Sequence, residues 1–289
     1  MSASGMTTVS SVGQQRLKAN LLRELHHGSH VLLLPNVWDV ASARIFENAG
    51  FPALATTSAG VAFTLGYPDG EKVSRKEMLE VVARIARAVN VPVTADVEAG
   101  YGGRPEDASL TARAVIDAGA VGLNLEDGTD DAENPLVELS LQLEKLAAVR
   151  QEAKHSDVPV VINARTDVYL LNVGPPERRY DDAMRRAAAY KHAGADCVFV
   201  PGLREPDTIA RFVNDLKLPI NILAGPGFPS IAELERIGVT RVSLGSSPMR
   251  ATLGLVQRMA EELQRSGTYH TLEGAPSHSE MNQLMRRTA

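Results

Sequence analysis

Short apolar runs rich in Val, Ile and Leu recur along the whole chain and alternate with longer amphipathic stretches. Runs of this kind are typical of strands buried on both faces, and helices between consecutive strands indicate parallel pairing. The repeat therefore predicts an α/β fold of the (β/α)8, TIM-barrel type, whose usual size fits 289 residues. The eight predicted strands are 31–36, 53–57, 91–97, 121–127, 158–166, 197–202, 218–225 and 241–247.

Apolar residues between these runs follow helical spacing. Four of the segments, "ENAGFPAL", "DAGAVGL", "KHAGADCV" and "RIGVTRV", close a helix with glycine before entering a strand, as left-handed C-caps do. A doubly wound open sheet is the alternative, but no G-x-G-x-x-G follows the first strand. The predicted helices include 74–90, 105–120, 138–154, 180–195 and 247–267.

The barrel is assigned to residues 31–267, between two segments that lie outside the repeat. Residues 1–30 form an N-terminal segment whose helix, at 13–27, is placed to cover the bottom of the barrel. The C-terminal tail, 268–289, has little apolar periodicity, and we expect it either to reach a neighbouring subunit or to lie loose.

Composition excludes several classes of function. The net charge is −5, basic and acidic residues are interspersed, and aromatic residues make up 4% of the chain, so we expect no nucleic-acid partner. No apolar run is long enough to span a membrane, and the polar N-terminus lacks the apolar core of a signal peptide. We therefore expect a cytoplasmic protein. The single cysteine, Cys197, lies in an apolar run and is interpreted as a buried strand residue.

Polar residues collect where five of the predicted strands end, which is where barrel enzymes carry their catalytic groups. Carboxylates on adjacent loops together with one arginine predict an acidic pocket in which the arginine is the positively charged side chain. The residues concerned are Thr56, Thr57, Ser58 and the following Asp69; Asp96 and Glu98; Asn124, Glu126 and Asp127; Asn163, Arg165 and Asp167; and Asn221.

Clusters that offer only oxygen ligands suit Mg²⁺ or Mn²⁺. Zinc is disfavoured because none of the seven histidines falls at a strand end, and the same absence argues against a Ser-His-Asp triad. We interpret the histidines as solvated or locally hydrogen-bonded.

Structural alternatives exist for several of these residues. Asp127 and Asp167 begin loops that lead to helices, and a helix N-cap is the favoured interpretation for both. For Asp96 and Glu126 the alternative to a metal site is an ion pair with Arg165. The glycines in "GPG" and "LGSS", after strands 7 and 8, either bind phosphate or permit close packing.

Five segments resemble a known family when they are taken together and in order. "PNVWDVASARI", "TTSAGVAFTLGYPD", "TADVEAGYGG", "NLEDG" and "INARTDVYL" resemble the isocitrate lyase/phosphoenolpyruvate mutase superfamily over roughly residues 35–252. The resemblance implies an α/β barrel whose eighth helix is exchanged between subunits in a homodimer or homotetramer. It also implies Mg²⁺ and a small carboxylate substrate of the 2-oxo acid class.

The resemblance also implies individual roles. Asp96 would be the main metal ligand, Glu98 and Glu126 would hold metal-bound waters, and Asp69 would complete that shell. Arg165 would bind the substrate carboxylate. The turn Ser58–Ala59–Gly60 would offer backbone N–H groups to a carboxylate or oxyanion, and Asn221 is a further candidate for substrate binding. Asp69, Glu98, Glu126 and Arg165 are accordingly the predicted catalytic residues.

One segment departs from the family pattern. The lyases carry K-[KR]-C-G-H after the strand-4 Glu-Asp pair, and the mutases and phosphonopyruvate hydrolases carry a lysine and an asparagine. This chain has "EDGTDDAENPLVEL", in which only Asn134 remains. We therefore expect a lyase that cleaves a C–C bond or decarboxylates a 2-oxo diacid, with water, Tyr67 or Tyr101 as proton donor. The alternatives are P–C chemistry on phosphonopyruvate-type substrates and a 2-oxo acid binder without catalysis.

Overall fold

The computed structural model describes residues 11–286, and the first ten residues of the predicted N-terminal segment lie outside that range. All the strands pair in parallel in one sheet, in the order β1-β9-β8-β7-β6-β5-β4-β3-β2. The strands are β1 (Leu32–Leu34), β2 (Asn36–Val37), β3 (Leu54–Thr56), β4 (Val93–Asp96), β5 (Gly122–Glu126), β6 (Val161–Arg165), β7 (Cys197–Phe199), β8 (Ile220–Leu223) and β9 (Arg241–Ser243).

The first barrel strand is divided in two at Pro35, and the barrel closes because the two halves pair with different neighbours. Proline has no N–H to donate to a neighbouring strand, so the ladder is interrupted there. On one side β1 pairs with β9, with Leu32 opposite Arg241, and on the other side β2 pairs with β3, with Asn36 opposite Ala55. The predicted TIM-type barrel is therefore confirmed, and its eight strands fall where the apolar runs placed them.

Helices follow the strands and surround the barrel. Capping residues explain several of their starts: Ser74 and Glu77 form a reciprocal capping box at one helix, and Pro105 and Pro206 occupy the first turn of two others. The helices are α1 (Ser11–Leu25), α2 (Val40–Asn48), α3 (Ser58–Leu65), α4 (Arg75–Ala88), α5 (Pro105–Asp117), α6 (Leu139–His155), α7 (Pro176–His192), α8 (Pro206–Leu216), α9 (Ile231–Arg236), α10 (Ser247–Ser266) and α11 (His278–Met285).

The core has two layers, one between strands and helices and one inside the base of the barrel. Leu123 and Ile162 belong to the outer layer, which packs against the surrounding helices. Leu22 of α1 is fully buried and packs with Leu32 and Leu34 in the inner layer. Helix α1 thus covers the bottom of the barrel, at the end opposite the predicted site.

The C-terminal tail packs against its own chain, whereas the sequence predicted a segment that lies loose or reaches a neighbouring subunit. It forms a 3₁₀ turn at His270–Leu272 and then α11, which packs against α2 of the same chain. The guanidinium of Arg44 donates to the carbonyl of Leu284 over 2.8 Å. The weak apolar periodicity of the tail follows from this arrangement, because the helix remains largely exposed on its other faces.

The structure also describes the environment of the single cysteine and the lengths of the apolar helices. Cys197 is fully buried in β7, as interpreted from the sequence, and burial raises the pKa of its thiol to about 12. Within residues 11–286, no helix is both long enough and apolar enough to cross a membrane.

We predict that Gly122→Ala destabilises the protein. An added Cβ at Gly122 would lie 2.8 Å from Oγ1 of Thr94 and 3.0 Å from Leu22, so the contact between α1 and the barrel base must open. The expected loss is about 1–3 kcal/mol of unfolding free energy, measured by urea denaturation. Gly103→Ala is the control, because nothing lies within 4 Å of its added Cβ. Equal stability of the two variants would contradict this description of the barrel base.

Candidate active site

Asp96 lies at the carboxyl end of β4 and is fixed by its neighbours on both sides. The N–H and the hydroxyl of Ser58 donate to its Oδ2 over 3.0 and 2.9 Å. Asn124 donates to its Oδ1 over 3.4 Å, and the N–H of Asp96 donates to the hydroxyl of Thr56. This buried carboxylate is therefore held in one orientation at the barrel mouth.

Glu98 follows two residues later, at the start of a turn with unusual backbone geometry. Its φ is +51°, a left-handed conformation that favours glycine, and it is 3% exposed. Its carboxylate accepts the N–H of Glu71, and the Glu71 carboxylate accepts the N–H of Tyr101 over 2.7 Å. Burial, together with the nearby Asp96 and Asp69, raises the pKa of Glu98 to about 7 although the Glu71 N–H opposes the shift.

Arg165, at the end of β6, lies between two carboxylates. Its Nη1 is 2.5 Å from Glu126, and it makes a bidentate contact of 2.6 and 3.0 Å with Asp167. Burial alone would lower its pKa, but Glu126 and Asp167 more than offset this and raise it, so the guanidinium stays charged. Burial raises the pKa of Glu126 despite the arginine.

Asp127 and Asp167 are not helix N-caps, contrary to the favoured interpretation. Asp127 is fully buried and accepts hydrogen bonds from Tyr190, Arg186 and the N–H of Asp167. Asp167 in turn holds Arg165. The two acids therefore form a chain of contacts from α7 to the arginine, a role that their position before a helix did not indicate.

The ion-pair alternative applies to one acid only. Glu126 contacts Arg165, as that alternative proposed, whereas Asp96 has no ion pair with Arg165 in the part of the chain that the structure describes.

Asp69 is exposed at the rim, and its pKa is raised by partial burial and by Asp96. Asp69, Glu98, Glu126 and Arg165 line one cavity of about 590 Å³ at the barrel mouth.

The segment Ser58–Ala59–Gly60 is the first turn of α3, not an open turn. Thr57 caps this helix, the N–H of Gly60 donates to the Thr57 hydroxyl, and the N–H of Ser58 donates to Asp96.

Asn221 is fully buried inside the barrel. Its Oδ1 accepts from Ser243, and its Nδ2 has no acceptor among residues 11–286.

The loop that lacks the family's acid residues folds onto itself. Gly128 and Leu136 form an antiparallel bridge, the N–H of Thr129 donates to Pro135, and the side chain of Asn134 donates to Asp131. Asn134 therefore stabilises the hairpin and is not among the residues that line the cavity.

Sequence reasoning missed two residues of the site. Lys145 of α6 is 1% exposed, lines the cavity and donates to the carbonyl groups of Ala99 and Gly102. Glu71 links the loop after α3 to the turn after β4. Neither residue stands at a strand end, so the rule used to select candidates passed over both. The only sequence signal for Lys145 is its helical spacing with Leu146, Val149 and Ala153 on the buried face of α6, a face that also contains the polar Gln142.

Asp96, Glu98 and Glu126 interact electrostatically but do not surround a cation as they stand. Within the described range no group of three His, Cys, Asp or Glu side chains already has the geometry of a metal site. The partners of Glu98 and Glu126 explain this, because each carboxylate is turned to a protein donor, the Glu71 N–H or Arg165. All the donors are carboxylate oxygens, the set that suits Mg²⁺ or Mn²⁺.

Comparison with known proteins shows the family to which this chain belongs. The family model for phosphoenolpyruvate phosphomutase matches residues 22–264, nearly the whole barrel. The chain belongs to the phosphoenolpyruvate phosphomutase family. An uncharacterized protein of Mycobacterium tuberculosis (strain ATCC 25618 / H37Rv) is 35% identical over 259 residues, 86% of this chain and 93% of that protein. The resemblance inferred from the five segments is thus confirmed.

Two further relatives are enzymes named for their activities. An oxaloacetate decarboxylase of Rhodopseudomonas palustris (strain HaA2) is 27% identical over 279 residues, 94% of this chain and 93% of that enzyme. The solved structure of a phosphonopyruvate hydrolase in complex with oxalate and Mg²⁺ has a TM-score of 0.81 at 25% identity, covering 92% of this chain and 94% of that one. Members of the family thus act on small oxo acids.

We predict that Glu98 makes unfolding pH-dependent between about pH 4.5 and 7. Its folded-state pKa lies above its unfolded value, so unfolding releases a proton in this window and the stability that Glu98 contributes is lost as pH rises. His26, whose pKa burial and Arg241 lower to about 4, acts in the opposite sense. Comparison with Glu98→Gln cancels that effect, because His26 is common to both proteins.

Metal-free protein is the sample for this measurement. Glu98→Gln should become more stable relative to the wild type as pH rises from 4.5 to 7, by on the order of 3 kcal/mol of unfolding free energy. Urea denaturation at several pH values measures the difference. A difference that does not change with pH would contradict the raised pKa.

Proposed function

We propose that this chain is a Mg²⁺-dependent lyase acting on a small 2-oxo acid, or on a di- or tricarboxylate, through an enolate. The observation that carries the proposal is that Asp69, Glu98, Glu126 and Arg165 line one cavity at the barrel mouth, with Asp96 near enough to interact electrostatically with Glu98 and Arg165. A dicarboxylate with an oxo group needs a cation for its oxygens and an arginine for one carboxylate, and this cluster offers a place for both.

The residues fit a divalent cation. The pKa values of Asp69, Glu98 and Glu126 are all raised, chiefly by burial, so a bound cation would favour their charged forms. In the proposed site Asp96 would be the main ligand of Mg²⁺ (or Mn²⁺), Glu98 and Glu126 would hold its waters, and Asp69 would complete the shell. Ser58 and Asn124 orient Asp96 for this role.

Substrate binding is proposed to involve Arg165 and the first turn of α3. Asp167 fixes the guanidinium through Nε and Nη2, and a substrate carboxylate would bind at Nη1, which now contacts Glu126. Ser58, Ala59 and Gly60 form the N-terminus of a helix, where the backbone dipole favours negative charge. Asn221, buried beneath the mouth with a free amide donor, is a further contact in this proposal.

In the proposed decarboxylation of a 2-oxo diacid, the bond between the carbon beside the carbonyl and its carboxylate breaks, CO₂ leaves, and the electron pair stays on the enolate. In cleavage of a substituted malate, the 2-hydroxyl proton passes to water, one fragment leaves as a 2-oxo acid, and the electron pair stays on the enolate of the other. Mg²⁺, when bound, would supply positive charge to the enolate oxygen, an effect worth several kcal/mol in typical sites. Arg165 holds the carboxylate, and the N-terminus of α3 adds positive potential to the same region. The carboxylates of Glu98 and Glu126 orient water near the reacting atoms.

Protonation of the enolate completes the reaction. Among the sequence candidates, Tyr101 is a poor donor, because burial and the neighbouring Glu98 raise the pKa of its hydroxyl. Tyr67 is exposed near the rim. We therefore propose water or Tyr67 as the proton source, in place of the acid that the lyases carry in the loop after strand 4.

P–C chemistry on phosphonopyruvate is the second candidate function. The similarity to phosphonopyruvate hydrolase favours it. Two contacts weigh against it: the N–H groups of Leu244 and Gly245 already donate to Asn36, and Asn134 bonds within its own hairpin. Release of inorganic phosphate from phosphonopyruvate, without turnover of oxaloacetate, would make this candidate the correct one.

We predict Mg²⁺-dependent turnover of oxaloacetate or of a 2,3-substituted malate, abolished by EDTA. Asp96→Asn removes the charge of the proposed main ligand at constant size and should lower kcat/KM by about 100-fold or more. Asp157→Asn, at an exposed acid on the far side of the barrel, should leave kcat/KM unchanged. The assay couples the release of pyruvate or another oxo product to NADH oxidation. Absence of turnover of every substrate by protein that binds Mg²⁺ would contradict the proposal.

We also propose that the protein is a homodimer or homotetramer in the cytoplasm, with α10 exchanged between subunits. Support comes from α10 itself, since only Met249 of its 20 described residues is buried. Leu253, Val256 and Leu263 form an apolar stripe on that helix and are 44%, 57% and 54% exposed. A stripe of this kind is typical of a helix that packs against another subunit.

We predict that Val256→Glu dissociates the oligomer, because a charge would be buried in the apolar contact. Light scattering coupled to size-exclusion chromatography should show the wild type as a dimer or tetramer and the variant as a smaller species. Leu110→Glu is the matched control, because Leu110 on α5 is also 57% exposed and apolar. A monomeric wild type, or equal masses for all three proteins, would contradict the proposal.

A further inference from the structure

The turn that carries Glu98 has a strained backbone. Four of its five residues have positive φ: Glu98 at +51°, Gly100 at +97°, Tyr101 at +57° and Gly102 at +154°. Glycine adopts such values easily, but each non-glycine residue in this region costs about 1 kcal/mol or more. Contacts around the turn must therefore stabilise this conformation over the alternatives.

Side chains from three different helices donate to the carbonyl groups of this turn. Four consecutive carbonyls each accept one such hydrogen bond, although they lie in a loop where the backbone offers them no regular partner. The pairs are Lys145 Nζ to Ala99 O (2.5 Å), Thr111 Oγ1 to Gly100 O (2.7 Å), Arg75 Nη2 to Tyr101 O (2.8 Å) and Lys145 Nζ to Gly102 O (3.2 Å). We call this set the carbonyl clamp.

Lys145 is the central member of the clamp because it bridges two carbonyls on either side of the bend. It reaches the turn from α6, is 1% exposed, and has no carboxylate within 4 Å among the described residues. Burying an ammonium group without a direct counter-charge is costly, and burial lowers its pKa accordingly. Two neutral acceptors do not require a charged donor, so stability alone does not explain this lysine.

We propose that Lys145 is a positioning residue for the metal site. By joining the carbonyls of Ala99 and Gly102 it keeps the turn in its strained conformation, and this conformation directs the Glu98 carboxylate to the barrel mouth. Without the bridge, the residues with positive φ relax and Glu98 leaves the position from which it would hold metal-bound water. The inference rests on the proposed function, because the role of Glu98 toward Mg²⁺ belongs to it.

The affinity of the metal-free protein for Mn²⁺, measured by electron paramagnetic resonance of free Mn²⁺, tests the proposal without any assay of activity. Lys145→Met should weaken Mn²⁺ binding by about 10-fold or more, the usual effect of removing a residue that orients metal ligands. Lys191→Met is the matched control. Lys191 of α7 also donates to two backbone carbonyls, those of Leu216 and Lys217, over 3.0 Å each, but far from the site.

The expected result separates positioning from general stability. Both lysine variants should lower the Tm, whereas only Lys145→Met should weaken Mn²⁺ binding. Equal Mn²⁺ affinity of Lys145→Met and the wild type would overturn the proposal. Should Lys145→Met fail to fold, Thr111→Val provides the test: it removes the bond to Gly100 at nearly constant shape and should weaken Mn²⁺ binding by a smaller factor. Unchanged affinity in that variant would likewise overturn the proposal.

Asp96→Asn distinguishes failure of this inference from failure of the proposed function. If the wild type binds Mn²⁺ and Asp96→Asn does not, the metal site stands and the lysine variants decide the role of Lys145. If Asp96→Asn binds Mn²⁺ as tightly as the wild type, the proposed metal site is wrong, and the proposal for Lys145 falls with it.

Discussion

Negative charge is concentrated at the mouth of this barrel, where four carboxylates lie near one guanidinium that pairs with only one of the four. Such a cluster is unfavourable, because the buried carboxylates lose water and all four repel one another. In the described structure the cluster is relieved locally: Glu126 pairs with Arg165, Glu98 accepts a backbone N–H, and Asp96 accepts three hydrogen bonds. The raised pKa values show that this relief is incomplete. A divalent cation is the natural compensation, and the proposed chemistry follows from it.

The rest of the structure holds these charges in place. Parallel strands bring their carboxyl ends to one rim, so residues distant in sequence become neighbours there. Helices supply the supporting contacts: α7 holds Asp127 and through it Asp167, while α4, α5 and α6 hold the turn after β4. Helix α1 closes the opposite end. Backbone strain is found at the rim, in the turn after β4, as is usual where function requires a fixed geometry.

The barrel and the members of the acid cluster were predictable from the sequence, because both depend on local patterns. Continuous apolar runs identified the strands, and polar residues at their ends identified Asp96, Glu98, Glu126 and Arg165. The hydrogen-bond and ion-pair partners of the site residues were not predictable from the sequence. The position of Asp127 before a helix favours an N-cap, and its actual contacts, to Tyr190 and Arg186, lie about 60 residues away in sequence, where no local pattern indicates them.

Lys145 escaped notice for a similar reason. A lysine on a helix is normally solvated, and only the packing of α6 against the turn after β4 buries this one. The C-terminal helix α11 was missed because its short sequence has weak periodicity and is supported by a contact to α2.

We propose that the acids at the mouth bind a divalent cation together with a 2-oxo acid. A crystal structure of the full chain with Mg²⁺ and oxalate, a stable analogue of an enolate, is the decisive experiment. We expect a metal ion bound directly or through water to Asp96, with Glu98 and Glu126 turned toward it and the oxalate carboxylate on Arg165. Oxalate at Arg165 with no metal beside Asp96, or a metal bound elsewhere, would contradict it.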